Sequence, residues 1–562
     1  MRHSDVERSV AAVDWVNMML DDVHGAWGRE NRIGNQALRH SNLTEIDLGL
    51  DLLRRSEEPL KDNTIIATAI PEITNRFHSV EDIGWYGSSY MLATSAVTLL
   101  YGRFYTFMAN KWVYLMALFL FELGSLICGI APSSIALLMG RAVAGLGAGG
   151  LLPGAILLIT QSAPGESRPF YTGLLVSVYG VASVAGPLIG GLLTDQVSWR
   201  WCFYINLPCG AVTAVLVLIF VKDMKVPGSS LQDGFWARLK QLDLPGNMVF
   251  TSVVICLLLA LEWGGSKYSW DEPRIIALFV VSGVLLLLFT SIQVYQKDNA
   301  TIPFHLIKKN YVWGSVLYSF CIPGIFAILT YFVSFICLCL IYVFSNRDHQ
   351  TQLPIWFQTV KGASPTMSGV MNIPLLLGTV IIGVPTSLAI ARFGYITPFL
   401  LASSIVLSIG SGLMITLDVD ASHEKWIGYQ AMVGIGLGLG QQLPVIVVST
   451  LLEPAHVPTG TVIVTFVQLL SGAIFVSVGQ NLFQNQLISF IQLNSSQSEI
   501  SASQVLAVGI NNLRQHYSGE KLELILRAYN SAVTHTFFAT TALSVVSIVA
   551  AVPIAWAHFN KK

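Results

Sequence analysis

Apolar runs long enough to cross a bilayer recur along most of the chain, separated by short polar stretches. They lie at about 84–102, 112–131, 135–160, 170–193, 203–221, 246–263 and 275–295. Another begins near Trp313, and more follow at about 367–390, 397–417, 427–452, 459–489 and 533–557. A helix of ~20 residues spans the ~30 Å hydrocarbon core, so each run predicts one crossing. Asp62 to Pro71, reading Asp-Asn-Thr-Ile-Ile-Ala-Thr-Ala-Ile-Pro, adds about half a span, for about fourteen helices in all. Residues 1–61 carry scattered Arg and Glu and hold no such run. Lipid satisfies no free backbone group, so helix is the only open-chain way across. The predicted fold class is an all-α membrane protein.

Composition agrees. Apolar residues make up 53% and charged residues 12%, against soluble norms of ~45–50% and ~25%. A net charge of −1 gives no sign of nucleic acid as a partner. The seven cysteines lie in apolar segments without metal-ligand spacing and read as buried thiols. No signal-peptide pattern stands at Met1. With the N-terminus inside, the inner loops hold thirteen Lys and Arg, from Arg103 and Lys111 to Lys561 and Lys562, against six in short outer loops. That is the positive-inside bias. A long outer loop at 490–532 begins with the sequon Asn494-Ser-Ser, a candidate glycosylation site.

The run at 170–193 contains Gly180-Val-Ala-Ser-Val-Ala-Gly186-Pro187-Leu-Ile-Gly190-Gly191. Small residues at Gly180, Ser183, Gly186 and Gly190 bare one helix face, so a neighbouring helix can approach closely. Pro187 removes a donor and bends the helix. A second signal is an internal echo. Gly145-Leu-Gly-Ala-Gly-Gly-Leu-Leu-Pro153 aligns on Gly436-Leu-Gly-Leu-Gly-Gln-Gln-Leu-Pro444 at an offset of 291. Each lies in the fourth helix of a set of six, with two additional helices (246–263 and 275–295) between the sets. Paired halves of this kind are the mark of a transporter whose site lies at their interface. Gly145-x-Gly147-x-x-Gly150 also fits a dinucleotide fingerprint, but no βαβ pattern surrounds it.

Charges within the spans carry the candidate chemistry. Arg141 lies one turn before the glycine run of the fourth span, and Glu122 lies mid-span in the third. An ionised group at mid-bilayer costs at least ~2.5–3.5 kcal/mol, so it faces a protein cavity and marks a transport path or a proton relay. The blander reading is a structural Glu122–Arg141 ion pair. At the 291 offset Arg141 falls on Met432, while Gln441 and Gln442 bring uncharged polarity to the matching helix, with Gln468 on the next. We therefore assign proton chemistry to Asp62, Glu122 and Arg141, and substrate contacts to Gln441, Gln442 and Gln468. Asp62 has the alternative of a plain helix cap.

These residues together resemble the major facilitator superfamily, and within it the fungal drug:proton antiporters with fourteen helices. The resemblance covers about residues 62–562. It rests on Gly180-x5-Gly186-Pro187-x2-Gly190-Gly191, similar to that group's antiporter motif, and on Arg141-Ala-Val-Ala-Gly145-Leu-Gly147. The stretches Asp62 to Pro71 and Trp199 to Pro208 also fit. It implies two six-helix bundles, at 62–222 and 313–562, and a linker at 223–312 holding the two additional helices. It further implies no cofactor, a proton gradient as the energy source, and export of small, largely apolar toxins, drugs or metabolites by alternating access. The expected form is a monomer in the plasma membrane or the vacuolar membrane. An importer or siderophore exchanger on the same fold is the alternative; a membrane enzyme or receptor is more remote.

Three departures stand out. Gly102-Arg103-Phe-Tyr-Thr-Phe-Met-Ala-Asn-Lys111 lacks the acidic residue and twin basic residues of the superfamily's usual loop, so a charge-relay gate is not expected there. Leu52 to Lys61 is too charged to extend the first helix, and we read residues 1–61 as disordered or as a mispredicted exon. The span from Trp313 to Phe344 is too long for one crossing, at roughly 48 Å. Deleting Val333–Gln352 would restore continuity with Leu353-Pro-Ile-Trp-Phe-Gln358. Val333-Ser334 can be encoded by GTAAGT and Gln352 by CAG, a splice donor and acceptor, so we read the segment as a retained intron.

Overall fold

The computed structural model describes residues 83–162, 197–221, 243–264, 268–296, 300–334, 365–418, 423–453, 455–494 and 520–554, with residues 73, 76, 77, 171, 193 and 194. Asp62, the Gly180–Gly191 motif and most of the 333–352 insert lie outside the described residues. The first half contributes α1 (Ile83–Phe107), α2 (Asn110–Ile130), α3 (Ser134–Ser162), α4 (Trp201–Tyr204) and α5 (Asn206–Phe220). The additional pair is α6 (Leu244–Trp263) and α7 (Pro273–Gln296), followed by the short α8 (Phe304–Ile307). The second half contributes α9 (Asn310–Ser334), α10 (Pro365–Phe393), α11 (Thr397–Ile415), α12 (His423–Gly440), α13 (Leu443–Leu451), α14 (Val457–Asn494) and α15 (Glu520–Ala551).

Eleven spans among the described residues are long and apolar enough to cross a membrane. With α1, long enough at 25 residues but richer in Tyr, Ser and Thr, they account for twelve of the expected fourteen. The bundle wears its apolar residues outward as well as inward. Met139 is 62% exposed and Leu287 71%, as lipid-facing positions are. Cys209 is exposed on that surface too, which corrects its reading as a buried thiol; Cys128, Cys202 and Cys321 are buried.

Two spans differ in detail from the expected single helices. The run at 427–452 divides at Gln441–Gln442 into α12 and α13. Pro444, in the first turn of α13, has no N–H to offer the carbonyl four residues earlier, so the ladder cannot run through. The outer loop expected at 490–532 is shorter at both ends, since α14 runs through Asn494 and α15 begins at Glu520.

The internal repeat is confirmed by packing, in a different register. A Cβ on Gly145 would strike the Tyr90 carbonyl of α1, and one on Gly434 the Leu375 carbonyl of α10. Gly149 and Gly438 likewise face Thr94 and Thr379 of those helices. Gly147 meets Phe121 of α2 as Gly436 meets Leu407 of α11, and Gly124 meets Ala144 as Gly410 meets Val433. Thr94 and Thr379 each donate back to the carbonyl four residues earlier, at 2.7 and 3.0 Å. The fourth helices therefore superpose at 289 (145 on 434, 147 on 436, 149 on 438), not 291. The longer offset matches letters but turns α12 so that its glycines face the wrong neighbours.

The halves meet at the end that the positive-inside count places in the cytoplasm. There the Thr106 and Thr459 hydroxyls lie 3.2 Å apart, linking α1 to α14. Gly102 packs on Val462, and Leu151, Ile156 and Ile159 of α3 share a core with Val445, Val448 and Val464. The α6–α7 pair lies beside this seam and touches both halves. Thr251 donates to the Ala96 carbonyl of α1 at 2.9 Å, and Phe250 packs edge-on against Phe466 of α14.

Asp243 ties the pair together. It is 2% exposed, caps α6 and adopts a left-handed conformation that Asp tolerates. Its carboxylate accepts from Gly246 N–H (3.0 Å), Gln293 (2.7 Å), Gln296 (2.6 Å), Thr301 N–H (3.1 Å) and the Thr301 hydroxyl (2.7 Å). It also interacts electrostatically with Arg103 of α1, whose guanidinium lies over the Phe107 ring. The cation of the departed loop motif thus finds its carboxylate on an additional helix.

Three substitutions test this packing. Asp243→Ala strands several buried donors and should destabilise the purified protein by roughly 3 kcal/mol or more in thermal unfolding. Gly147→Ala should cost about 1–3 kcal/mol by overpacking. Gly412→Ala, with nothing within 4 Å of the added methyl, should instead be neutral or gain up to ~1 kcal/mol of helix propensity.

Candidate functional site

Arg141 sits in α3, seven residues from its start at Ser134, or about 10 Å into the span. It is fully buried, at 0% exposure, and turned away from lipid. Its Nε–H donates to the Tyr86 carbonyl at 3.0 Å, and the guanidinium lies over the Tyr90 ring at 4.3 Å. Both partners belong to α1. A ring face and a carbonyl hold the cation in a site that water does not reach. Gly145, one turn on, lets α1 come close enough for the ring to lie there.

Glu122 faces elsewhere. Its carboxylate lies against Gly210 of α5, where any side chain would overlap it. Beside it Asn206 donates to the Ser125 hydroxyl at 3.2 Å, so the α2–α5 contact is polar at two levels. Arg200 fastens the same corner, donating to the terminal carbonyls of α2 at Gly129 (2.7 Å) and Ala131 (3.0 Å). Arg141 and Glu122 thus address opposite sides of the α2–α3 pair, and the described contacts are not those of the ion pair weighed from the sequence.

The second half supplies uncharged polarity. Gln441 and Gln442 form the break between α12 and α13, both partly buried. Gln468 of α14 reaches across, its Nε2 3.5 Å from the Gln441 carbonyl. The Gln441 Oε1 is buried without a hydrogen-bond partner. The structure therefore brings Gln441 and Gln468 together beside the seam between the halves. Deeper in the second half, Tyr318 donates to Ser403 (2.9 Å), and Ser403 donates to the Gly436 carbonyl (2.7 Å). Asn494 is the last residue of α14.

One buried polar residue escaped the sequence reading. Under the 289 register Arg141 pairs with Gln430, not Met432. Gln430 is also 0% exposed. The signal was present as an amide within Trp426-Ile-Gly-Tyr-Gln430, seven residues from the start of α12 as Arg141 is from the start of α3.

A family model described as Major Facilitator Superfamily matches residues 62–476. The efflux pump roqT of Penicillium rubens is 46% identical over 501 residues, covering 89% of this chain and 88% of that one. The efflux pump aunC of Aspergillus niger is 46% identical over 496 residues, covering 88% and 89%. Among solved structures, the major facilitator proton:xylose symporter XylE matches with a TM-score of 0.54 at 12% identity, covering 90% of this chain and 94% of that one, a likeness of fold.

The Arg141 site makes a prediction of its own. Tyr90→Leu keeps apolar bulk but removes the ring face beneath a dry guanidinium, and should cost about 2 kcal/mol in thermal unfolding. The same change at Tyr101, which lies three turns along α1 from this site, should not weaken the hold on Arg141. A double cycle with Arg141→Met separates the two.

Proposed function

The chain belongs to the major facilitator superfamily, and on that premise we propose that it exports small, largely apolar molecules in exchange for protons. It is a multi-pass membrane transporter and not an enzyme. The observation that carries the reading is the seam between the halves. It is sealed at the inner end by Thr106–Thr459 and the α3–α13–α14 core. Beside it stands the uncharged Gln441–Gln468 pair of the second half, while the buried Arg141 lies nearer the outer end of the first half. Rocking the halves about this seam would open the inner end to cargo and the outer end to protons.

In this reading Glu122 and Asp62 are the proton carriers, and Arg141 tunes the path between them through the charge it holds in the first half. Voltage alone supplies ~2.3 kcal/mol per proton charge per 100 mV. The Gly180–Gly191 face keeps the moving helices closely packed, and Gln441, Gln442 and Gln468 orient the cargo. The plasma membrane is the site we assign, with the vacuolar membrane the alternative.

Cells expressing the chain should accumulate less of a lipophilic dye than controls, and a protonophore should abolish the difference. Gly186→Leu or Pro187→Leu should remove export at least tenfold while leaving the amount of membrane-inserted protein unchanged. Export that persists at full rate without a proton gradient would overturn the coupling, and normal export by the Gly186 variant would overturn the role given to that face.

A further inference from the structure

The packing register gives α12 a defined orientation. Gln430, Gly434 and Gly438 follow one another at intervals of four and share one face. Gly434 presses on Leu375 and Gly378, and Gly438 on Thr379 and Gly383, so that face is the one turned to α10. Gln430 lies one turn nearer the outer end, at the level that Arg141 occupies in the first half.

Arg141 is fully engaged there by a carbonyl and a ring of α1. Gln430 is not engaged. It is 0% exposed, yet neither its Nε2 nor its Oε1 has a hydrogen-bond partner. Native proteins rarely bury an amide with both ends unmet, and such a group calls for an explanation. Gly434 is where α12 presses on α10, so Gln430, one turn outward on the same face, is a buried amide turned toward α10 with both of its ends unmet.

We propose that Gln430 is a cargo-recognition residue, donating to and accepting from a neutral molecule that carries a hydrogen-bond donor beside an acceptor, such as a phenol next to a ketone. This deepens the export reading and rests on it. The first half holds a fixed charge at this level and the second half a neutral amide, so the two related positions divide coupling from recognition. An amide suits an uncharged cargo because it can satisfy both groups without burying a second charge.

The test uses the full chain purified in detergent, and dihydroxyanthraquinone with anthracene as the same ring system without polar groups. Dihydroxyanthraquinone should raise the wild-type unfolding temperature, and Gln430→Leu should weaken its apparent affinity at least tenfold. Anthracene should bind both proteins alike. Without ligand, Gln430→Leu should be as stable as wild type or more so, because it removes an unmet buried polar group. A clear loss of stability in ligand-free Gln430→Leu would show that the amide holds α10 to α12 and would overturn the proposal. Equal dihydroxyanthraquinone affinity in both proteins, or none in wild type, would overturn it as well. Failure of the export reading would look different: wild-type protein would bind the hydroxylated probe, in a Gln430-dependent way, and cells expressing it would not export it.

Discussion

Hydrocarbon neither donates nor accepts hydrogen bonds, and that constraint governs every polar side chain at membrane depth. Most of the buried hydroxyls turn back on their own helices. Thr98 donates to the Thr94 carbonyl at 2.6 Å, Ser411 to the Leu407 carbonyl at 2.6 Å, and Thr465 to the Thr461 carbonyl at 2.9 Å. These residues are polar in composition and quiet in chemistry. Against that background the exceptions carry meaning. Arg141 is held by a neighbouring helix, Asp243 gathers five donors, and Gln430 is left open.

The same solvent explains the glycines. With lipid as apolar as the helices themselves, association depends on close contact, and small residues permit it. Gly145, Gly147 and Gly149 let α3 touch both α1 and α2, while Gly434, Gly436 and Gly438 do the same for α12 against α10 and α11. One packing solution is used twice. The polar residue above it differs, a charge in one half and an amide in the other.

Much of this was legible in the sequence. Span positions follow from run length alone, and eleven spans and α1 confirm them within the described residues. Arg141 could be singled out because a lone cation in an apolar run has few reasons to exist. The register could not be read, because glycines alternate so densely that an alignment shifted by two still matches letters. Contact partners alone separate 289 from 291. The Asp243 cluster was hidden for another reason: Gln293, Gln296 and Thr301 lie 50 to 58 residues away and form no local pattern. The break at Gln441–Gln442 was foreshadowed by Pro444 but masked by uninterrupted hydropathy.

That break has a mechanical consequence. A helix transmits torque only while its ladder of hydrogen bonds is continuous, and here the ladder is cut between Gly440 and Leu443. The nine residues of α13, about 13 Å long, form a separate short lever at the inner mouth. It packs on α9 and α14 and on the end of α3, while α12 is seated on α10 and α11, so the two pieces of one span serve different neighbours.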